Sequence, residues 1–338
     1  MLRTARQFWI RAPGHGEIVV SPLSPGEPDH VLVRALYSGI SRGTESLVFR
    51  GEVPPSQHEV MRAPFPEGDF PGPVKYGYSS VGEVLEASEG SESSEGTSGG
   101  ASLVGRHVFC LHPHQDLYSV PAQAVHVLPD GVPPERAVLG ASMETALNAV
   151  WDARPSVGDR IVVIGGGVVG LLVAWLCHQI PAARVSLVDV DPSREDVARG
   201  LGLEFADGAP AGADADFVFH ASGSPEGLEA ALSVAGVEAT VVELSWYGTR
   251  YVALPLGEEF HSRRLTLLSS QVGRIPVDRA PRWDHARRLR VALELLCDER
   301  LDLLISGESD FETLPEVMGR LVEDGRGILC HRIRYAQP

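Results

Sequence analysis

The chain has 338 residues, of which 43% are hydrophobic and 22% are charged. This composition excludes a chain that is disordered throughout, and the length suits about two domains. Acidic residues number 45 and basic residues 29, which gives a formal net charge of -16. Because this charge repels phosphate backbones and anionic lipid, we expect no nucleic-acid partner and no membrane partner.

The four cysteines lie far apart in the sequence and form no CxxC pair. This cysteine usage favours a reducing compartment. The N-terminal residues include arginines but no sustained apolar segment, so we expect no secretory signal. Both features predict a cytoplasmic protein.

Short apolar runs separated by glycine and proline extend from Glu17 to about Leu128 and predict a β-rich domain. Within it, residues 86–102 have almost no apolar side chains, which is typical of a flexible loop between two strands. From about Pro134 onward, predicted strands alternate with predicted helices. This alternation indicates a parallel sheet with helices on both faces.

The tail after Ser270 is too short to build a core of its own, so we expect it to return to the first domain. The predicted domains are therefore 1–137 together with 273–338, and 138–272. Within the second domain, residues 265–270 (LTLLSS) read as a late strand that pairs with its two-fold mate in a homodimer. A buried central strand within one chain explains the same residues nearly as well.

The longest apolar run, residues 161–177, has the length of a short membrane helix, but Gly165, Gly166 and Gly167 interrupt it. A β-branched run precedes these glycines, and a helix-like run follows them and stops before Pro181. We therefore predict a strand, a turn and a helix.

Gly165, Gly167 and Gly170 form a GxGxxG pattern in this turn. Such glycines permit a tight turn, let backbone N–H groups approach a pyrophosphate, and allow the helix to pack closely on the strand. The helix N-terminus, which includes Val168 and Val169, adds positive potential. The pattern predicts a dinucleotide-binding site.

Asp189 ends the next predicted strand, nineteen residues after Gly170. A carboxylate there accepts hydrogen bonds from an adenosine ribose and repels a 2′-phosphate, which favours NAD over NADP. Asp191 is a weaker candidate for this role.

Two further pairs of residues follow predicted strands of this domain. Ser222 and Gly223 come after the fourth strand and either contact the cofactor or cap the following helix. Trp246 and Tyr247 come after the fifth strand and either line a cleft or pack internally.

The chain resembles the medium-chain dehydrogenase/reductase family over nearly its whole length. The resemblance is carried by SGISRGTE (38–45), VKYGYSSVGEV (74–84), ASMETALNAV (141–150), VGDRIVVIGGGVVG (157–170) and VDVDPSR (188–194). It implies an α/β protein with a GroES-like β-rich catalytic domain plus a Rossmann doubly wound parallel sheet. It also implies that Thr145 contacts the cofactor.

Zinc alcohol dehydrogenases of this family carry a GICGTD motif, a GHE motif and a later cysteine four residues before a threonine. Here residues 41–45 (SRGTE) replace the cysteine motif, residues 77–79 (GYS) replace GHE, and Ala141 stands four residues before Thr145. The replacements at the three ligand positions are not usual zinc ligands. The sequences of these segments resemble the zinc-poor branch that includes bacteriochlorophyllide dehydrogenase. We therefore expect no metal site.

Without zinc, side chains must polarise the substrate oxygen. Tyr78 takes the position of the GHE histidine in the resemblance, and Lys75 is expected to lower the pKa of its phenol so that it exchanges the substrate proton. Ser41 and Thr44 are expected to relay the proton toward solvent, and Glu45 either continues this relay or orients the loop. The alternative is that Tyr78 packs internally and Lys75 is a surface charge.

His112 and His114 are separated by only one residue, Pro113, without a third ligand nearby in sequence. Loop histidines are a simpler interpretation than a metal site. We take His114 with Gln115 as the candidate pair on the substrate side, because an imidazole exchanges protons near neutral pH.

These features predict an NAD-dependent alcohol or ketone oxidoreductase that acts on a small-molecule substrate. One alternative is a zinc-free quinone or enoyl reductase that uses NADPH, against which Asp189 argues. The other is a non-catalytic dinucleotide-binding protein, which the missing zinc ligands would explain. The fold does not decide among these three.

Overall fold

The structure is a computed structural model that describes residues 3–23, 26–88, 103–210 and 212–337. The described residues of the N-terminal part form nine strands and two α-helices. They are β1 (Thr4–Ala12), β2 (His15–Pro22), β3 (His30–Ile40), α1 (Thr44–Phe49), β4 (Glu67–Gly68), β5 (Val74–Lys75), β6 (Ser80–Ala87), β7 (His107–Cys110), β8 (Leu117–Pro121), β9 (Val125–Val127) and α2 (Pro134–Ala137). The predicted loop at 86–102 begins inside β6, and its residues from 89 onward lie outside the described residues.

Strands and helices alternate in the middle of the chain. They are α3 (Gly140–Ala153), β10 (Arg160–Ile164), α4 (Val168–His178), β11 (Arg184–Val188), α5 (Arg194–Gly200), β12 (Glu204–Ala206), β13 (Ala215–His220), α6 (Pro225–Val234), β14 (Ala235–Glu243), α7 (Glu259–Ser262), β15 (Thr266–Ser269) and α8 (His285–Leu295). The tail adds β16 (Ile305–Asp310), α9 (Leu314–Glu323) and β17 (Cys330–Arg334). Short 3-10 helices occupy Pro55–Gln57, Ala122–Ala124, Glu299–Leu304 and Phe311–Thr313.

The contacts divide the chain into two compact units. The first contains Met1–Ala141, Leu293–Asp298 and Ile305–Pro338, and the second contains Ser142–Ala292 and Glu299–Leu304. In the first unit, one sheet has the order β2-β1-β5-β4, and a larger sheet has the order β16-β17-β3-β6-β7-β9 with β8 also paired to β3. The tail strand β17 therefore lies beside β3, with which it pairs antiparallel.

The second unit contains a six-stranded sheet with the order β12-β11-β10-β13-β14-β15. Every pairing in it is parallel, as expected where helices connect successive strands. The strands are rich in buried β-branched and aromatic residues, because a parallel sheet is covered on both faces. The predicted doubly wound parallel sheet is confirmed.

Residues 273–292 were expected with the first domain, but the contacts place them in the second unit. The reason is that α8 and the residues just before it pack against α3. The buried guanidinium of Arg288 donates hydrogen bonds to Glu144 and Asn148, and the rings of Trp151 and Trp283 meet edge to face at 4.7 Å.

Residues 161–177 form β10, the glycine turn and most of α4, as predicted. Among the described residues, no helix combines the length and the apolar character needed to cross a bilayer. Residues 266–269 form β15, which lies at the edge of the six-stranded sheet and pairs with β14.

The helical glycines Gly170 and Gly319 give a matched pair for testing how tightly α4 packs on β10. A Cβ atom at Gly170 would lie 1.8 Å from the carbonyl oxygen of Gly165, whereas one at Gly319 in α9 would meet no atom within 4 Å. We expect Gly170→Ala to destabilise the protein by about 2 kcal/mol or more, because backbone must move. Gly319→Ala should leave stability unchanged or raise it by up to about 1 kcal/mol. Thermal unfolding of the two variants measures the difference, and equal midpoints would contradict the close approach.

Candidate active site

The glycine turn between β10 and α4 has the geometry that a dinucleotide site requires. Gly165 has a φ of 108°, which favours glycine, and a Cβ atom there would lie 2.5 Å from the amide nitrogen of Ser222. Gly167 is the N-cap of α4, and a Cβ atom there would meet no atom within 4 Å. Val168 and Val169 form the first turn of α4 and are partly exposed. The turn therefore leaves open space at the N-terminus of a helix, which suits a pyrophosphate.

Asp189 follows β11 directly and lies beside this turn. Its carboxylate accepts a hydrogen bond from the Gly166 N–H at 2.5 Å and another from the Asp191 N–H at 2.8 Å. Asp191 in turn accepts from the Ser193 N–H at 3.0 Å. The partly exposed Asp189 carboxylate is thus held in a fixed orientation, and the residues present fit the adenosine ribose of a dinucleotide.

Ser222 and Gly223 follow β13 at the same edge of the sheet. The helix cap considered for Ser222 is formed by Ser224, whose hydroxyl accepts from the Gly227 N–H at 2.9 Å. Ser222 is exposed, and its Oγ accepts a hydrogen bond from the Ser224 N–H at 3.2 Å. Ser222 and Gly223 therefore have surface that a cofactor can reach. Thr145, another predicted cofactor contact outside the glycine turn, lies within α3 and is partly exposed.

The aromatic pair after β14 is partly exposed. The Tyr247 hydroxyl donates to Glu243 at 3.2 Å, and its ring stacks with the His220 imidazole at a centroid distance of 6.5 Å. Burial and the charge of Glu243 raise the pKa of Tyr247. Tyr247 therefore belongs to a polar network at the carboxyl ends of β13 and β14, and both Trp246 and Tyr247 retain exposed surface.

The first unit holds a buried acid–imidazole pair. Glu45 in the first turn of α1 and His114 after β7 are both buried, and Glu45 Oε2 lies 2.8 Å from His114 Nε2. The other oxygen of Glu45 accepts from the Ser41 N–H at 2.8 Å. An ionised carboxylate only accepts hydrogen bonds, so His114 Nε2 carries the hydrogen of this pair.

A chain of hydroxyl groups continues from the other nitrogen of this imidazole. His114 Nδ1 lies 2.7 Å from the Ser38 hydroxyl, which lies 2.9 Å from the Tyr335 hydroxyl. With Nε2 protonated, Nδ1 accepts from Ser38, and Ser38 accepts from Tyr335. Both ring nitrogens of His114 are therefore engaged within the protein.

Tyr78 is partly exposed and lies next to the Ser41–Glu45 segment. Burial, and then the charge of Glu45, raise the pKa of Tyr78 to about 12, although hydrogen bonds from Ser41 and Thr44 act in the opposite direction. The predicted lowering of this pKa by Lys75 is therefore wrong. The structure does bring Tyr78, Ser41, Thr44 and Glu45 together.

Lys75 is buried, contrary to the alternative that it is a surface charge. Its ammonium group donates to Glu67 and, at 2.8 Å, to the amide oxygen of Gln115. Burial lowers the pKa of Lys75. The Gln115 amide nitrogen also donates to the Leu117 carbonyl at 2.7 Å, so both polar atoms of this side chain are bonded within the protein.

His112 is a buried structural residue. Its ring stacks on Tyr118 at a centroid distance of 3.8 Å, and its Nδ1 lies 2.9 Å from the Pro113 carbonyl oxygen. Burial lowers the pKa of His112 to about 3, so the imidazole is neutral at physiological pH.

The side chains do not fit a catalytic zinc ion at the positions that the resemblance indicates. Ser41, Tyr78 and Ala141 supply no thiolate, imidazole or carboxylate. Within the described ranges, no three His, Cys, Asp or Glu side chains are grouped so that they could hold a metal ion.

Several members of these networks were missed by sequence reasoning. Ser38 and Tyr335 are 297 residues apart, and their meeting depends on the pairing of β3 with β17. His220 and Glu243 could have been identified from the sequence, because each is a titratable residue at the carboxyl end of a buried strand of a parallel sheet.

Several known proteins that are similar to this chain are dehydrogenases. D-guloside 3-dehydrogenase of Escherichia coli K12 is 25% identical over 305 residues, which cover 82% of this chain and 86% of that protein. A solved structure described as a zinc-binding dehydrogenase from Sinorhizobium meliloti 1021, bound to NADP, matches with a TM-score of 0.76 and 18% identity, over 98% of this chain and 99% of the other. An alcohol dehydrogenase from Escherichia coli CFT073 complexed with NADH matches with a TM-score of 0.73 and 16% identity, over 98% and 99% of the two chains.

No protein-family profile matches the chain. The structural matches nevertheless extend over nearly the whole of both chains. The protein therefore has the two-domain α/β fold of the medium-chain alcohol dehydrogenases, and several of its relatives in sequence are dehydrogenases.

Proposed function

We propose that the protein is an NAD-dependent oxidoreductase that interconverts a secondary alcohol and a ketone without a catalytic zinc ion. The observation that carries this proposal is the glycine turn with Asp189 fixed beside it. The dehydrogenase names of the relatives support the reaction class. We extend the proposal to membership of the zinc-poor branch, because Ser41, Tyr78 and Ala141 stand where the zinc enzymes carry metal ligands.

NAD is proposed over NADP because Asp189 carries a negative charge at the ribose position. Solved structures of similar fold hold either NADP or NADH, so the fold itself is compatible with both cofactors. A 2′-phosphate next to a partly exposed carboxylate that is fixed by two backbone N–H groups would be repelled.

When bound, the nicotinamide accepts or supplies the hydride. Tyr78 is proposed to exchange the proton at the substrate oxygen. Since the pKa of Tyr78 is about 12, its phenol remains protonated at neutral pH and is ready to act as an acid. This protonation state favours ketone reduction, in which the substrate oxygen gains a proton. Alcohol oxidation needs the phenolate, so its rate should increase as the pH approaches 12.

The neighbours of Tyr78 have complementary roles in this proposal. Hydrogen bonding with Ser41 and Thr44 lowers the pKa of Tyr78, so these two hydroxyl groups are proposed to stabilise the phenolate that remains after proton transfer. Glu45 opposes that charge and is itself held by the Ser41 N–H and by His114. We propose that Ser41, Thr44, Glu45 and His114 relay a new proton from solvent to Tyr78.

We also propose that the protein forms a homodimer through β15. This strand lies at the edge of its sheet, and Leu267 within it is 40% exposed. An exposed edge strand offers unpaired backbone groups to a second copy. Light scattering at micromolar concentration should give twice the mass of one chain, and a monomeric mass would exclude the dimer.

Replacement of Asp189 should change the cofactor preference. We expect Asp189→Asn to narrow the preference for NAD over NADP by about tenfold, because the side-chain volume stays and the charge is removed. Both affinities are measured by titration on the same variant, so any general weakening cancels in their ratio. Asp191→Asn is the control and should leave the ratio unchanged. A wild-type preference for NADPH would instead favour the quinone or enoyl reductase.

Removal of the Tyr78 hydroxyl should slow the chemistry without weakening cofactor binding. We expect Tyr78→Phe to lower kcat for ketone reduction about 100-fold or more, because the proton donor is lost. Tyr76→Phe is the matched control, since Tyr76 donates its hydroxyl hydrogen to the Met61 carbonyl oxygen. Steady-state kinetics with NADH and NADPH against ketones and quinones, with metal analysis, provide the measurement.

Three outcomes would oppose this mechanism or the proposed function. Full activity in Tyr78→Phe would remove the phenol from the mechanism. Activity that is lost with a chelator and restored by zinc would remove the zinc-free proposal. Tight binding of cofactor without turnover of any alcohol, ketone or quinone would favour a non-catalytic dinucleotide-binding protein.

A further inference from the structure

Three side chains at the carboxyl edge of the six-stranded sheet form a serine–histidine–glutamate arrangement. His220 ends β13 and Glu243 ends β14, and the two are register partners in the parallel pairing. Ser222 follows His220 by two residues. The topology therefore places an acid, an imidazole and a hydroxyl group next to one another.

The distances among these groups are those of a nucleophile with its base. His220 Nδ1 lies 2.8 Å from Glu243 Oε2, and His220 Nε2 lies 2.6 Å from Ser222 Oγ. Both distances fall within the hydrogen-bond range expected for an activated nucleophile whose base is oriented by a third group.

The direction of each hydrogen bond follows from what its partners can donate. An ionised Glu243 accepts from His220 Nδ1–H, which leaves Nε2 with a lone pair. Ser222 then donates its hydroxyl hydrogen to Nε2, while Ser222 Oγ accepts from the Ser224 N–H at 3.2 Å. The Ser245 N–H, at 2.6 Å, and the Tyr247 hydroxyl both donate to Glu243 and hold the carboxylate in place. The network thus directs the serine hydrogen toward a base.

Burial separates the roles of the three residues. The His220 side chain is fully buried, the Glu243 side chain is 14% exposed, and Ser222 is exposed. A small electrophile can therefore reach the hydroxyl, while the imidazole and its carboxylate are withdrawn from water.

Positive potential is available beside Ser222. α6 is ten residues long and begins at Pro225, three residues after Ser222, so the positive end of its dipole lies close by. The exposed Arg250 also donates to the Gly223 carbonyl oxygen at 3.1 Å. Both sources favour the negative oxygen that forms when a carbonyl carbon is attacked.

We propose that Ser222 is an activated nucleophile that takes the acyl group of small esters. Ser222 Oγ forms a bond to the ester carbonyl carbon while His220 Nε2 takes the hydroxyl proton. The bond to the alcohol oxygen then breaks, and His220 returns the proton to the departing alcohol. Water then attacks the acyl carbon while His220 Nε2 takes a proton from it. The bond to Ser222 Oγ breaks, and His220 returns that proton to Ser222 Oγ, which regenerates the serine and yields the acid. Glu243 is a positioning residue that orients His220.

This activity does not depend on the proposed dehydrogenase function, although the two share a location. The Ser222 amide nitrogen lies against Gly165 of the glycine turn. A dinucleotide bound at that turn should therefore shield Ser222 from acylation. Acylation without cofactor tests the nucleophile, and protection by NAD tests the overlap separately.

The test is labelling of the full-length protein with a fluorophosphonate probe, followed by peptide mass spectrometry, and hydrolysis of p-nitrophenyl acetate in parallel. We expect the probe on Ser222 of the wild-type protein and no label at this position in Ser222→Ala. His220→Gln should slow labelling about 100-fold or more, because the general base is lost. Glu243→Gln should lower kcat for p-nitrophenyl acetate with KM unchanged, since Glu243 contacts His220 and not the ester. Ser233→Ala, at an exposed serine of α6, is the matched control and should behave like wild type.

Two results would overturn the proposal. One is an unlabelled Ser222 in folded wild-type protein. The other is labelling and ester hydrolysis that continue at the wild-type rate in both Ser222→Ala and His220→Gln. Ser222→Ala removes the hydrogen-bond partner of the buried His220 Nε2, so its thermal unfolding midpoint is measured alongside. A variant that remains folded at the assay temperature assigns its loss of labelling to chemistry.

Discussion

The common carboxyl edge of the parallel strands β10, β11, β13 and β14 is the constraint on which the second unit depends. Parallel pairing places the ends of these strands side by side, although the residues that follow them are far apart in sequence. The glycine turn, Asp189, Ser222 and Glu243 owe their proximity to this arrangement. The close contact between Gly170 and Gly165 allows α4 to begin directly at the same edge.

The constraint on the first unit is different, because polar groups are buried in its β-rich core and need hydrogen-bond partners there. Glu45 and His114 are buried together, and their remaining hydrogen-bonding atoms are occupied by Ser41 and Ser38. A buried polar network is stable only when its members are satisfied. Tyr78 lies at this network with part of its surface exposed, which is why it is proposed to meet the substrate.

The sequence was most informative where a function depends on local spacing. The turn from Gly165 to Gly170 and the following Asp189 could be predicted because strand, turn and helix are contiguous. The surroundings of Lys75 could not be predicted, since Gln115 reaches it only through the fold of the β-rich unit. The prediction that the pKa of Tyr78 is lowered was wrong for a related reason. Sequence proximity suggested Lys75 as its partner, whereas burial and Glu45 determine the shift.

The burial of Lys75 has a consequence for the chemistry of the whole chain, because it is the only lysine among the 338 residues. Its ammonium group is enclosed by Glu67 and Gln115, and the residue is only 2% exposed. Reagents and enzymes that modify lysine side chains, whether by acetyl transfer, cross-linking or attachment of ubiquitin, therefore have no accessible target in the folded state. Modification of Lys75 would report local opening of the β-rich unit, with the rate set by the free energy of that opening.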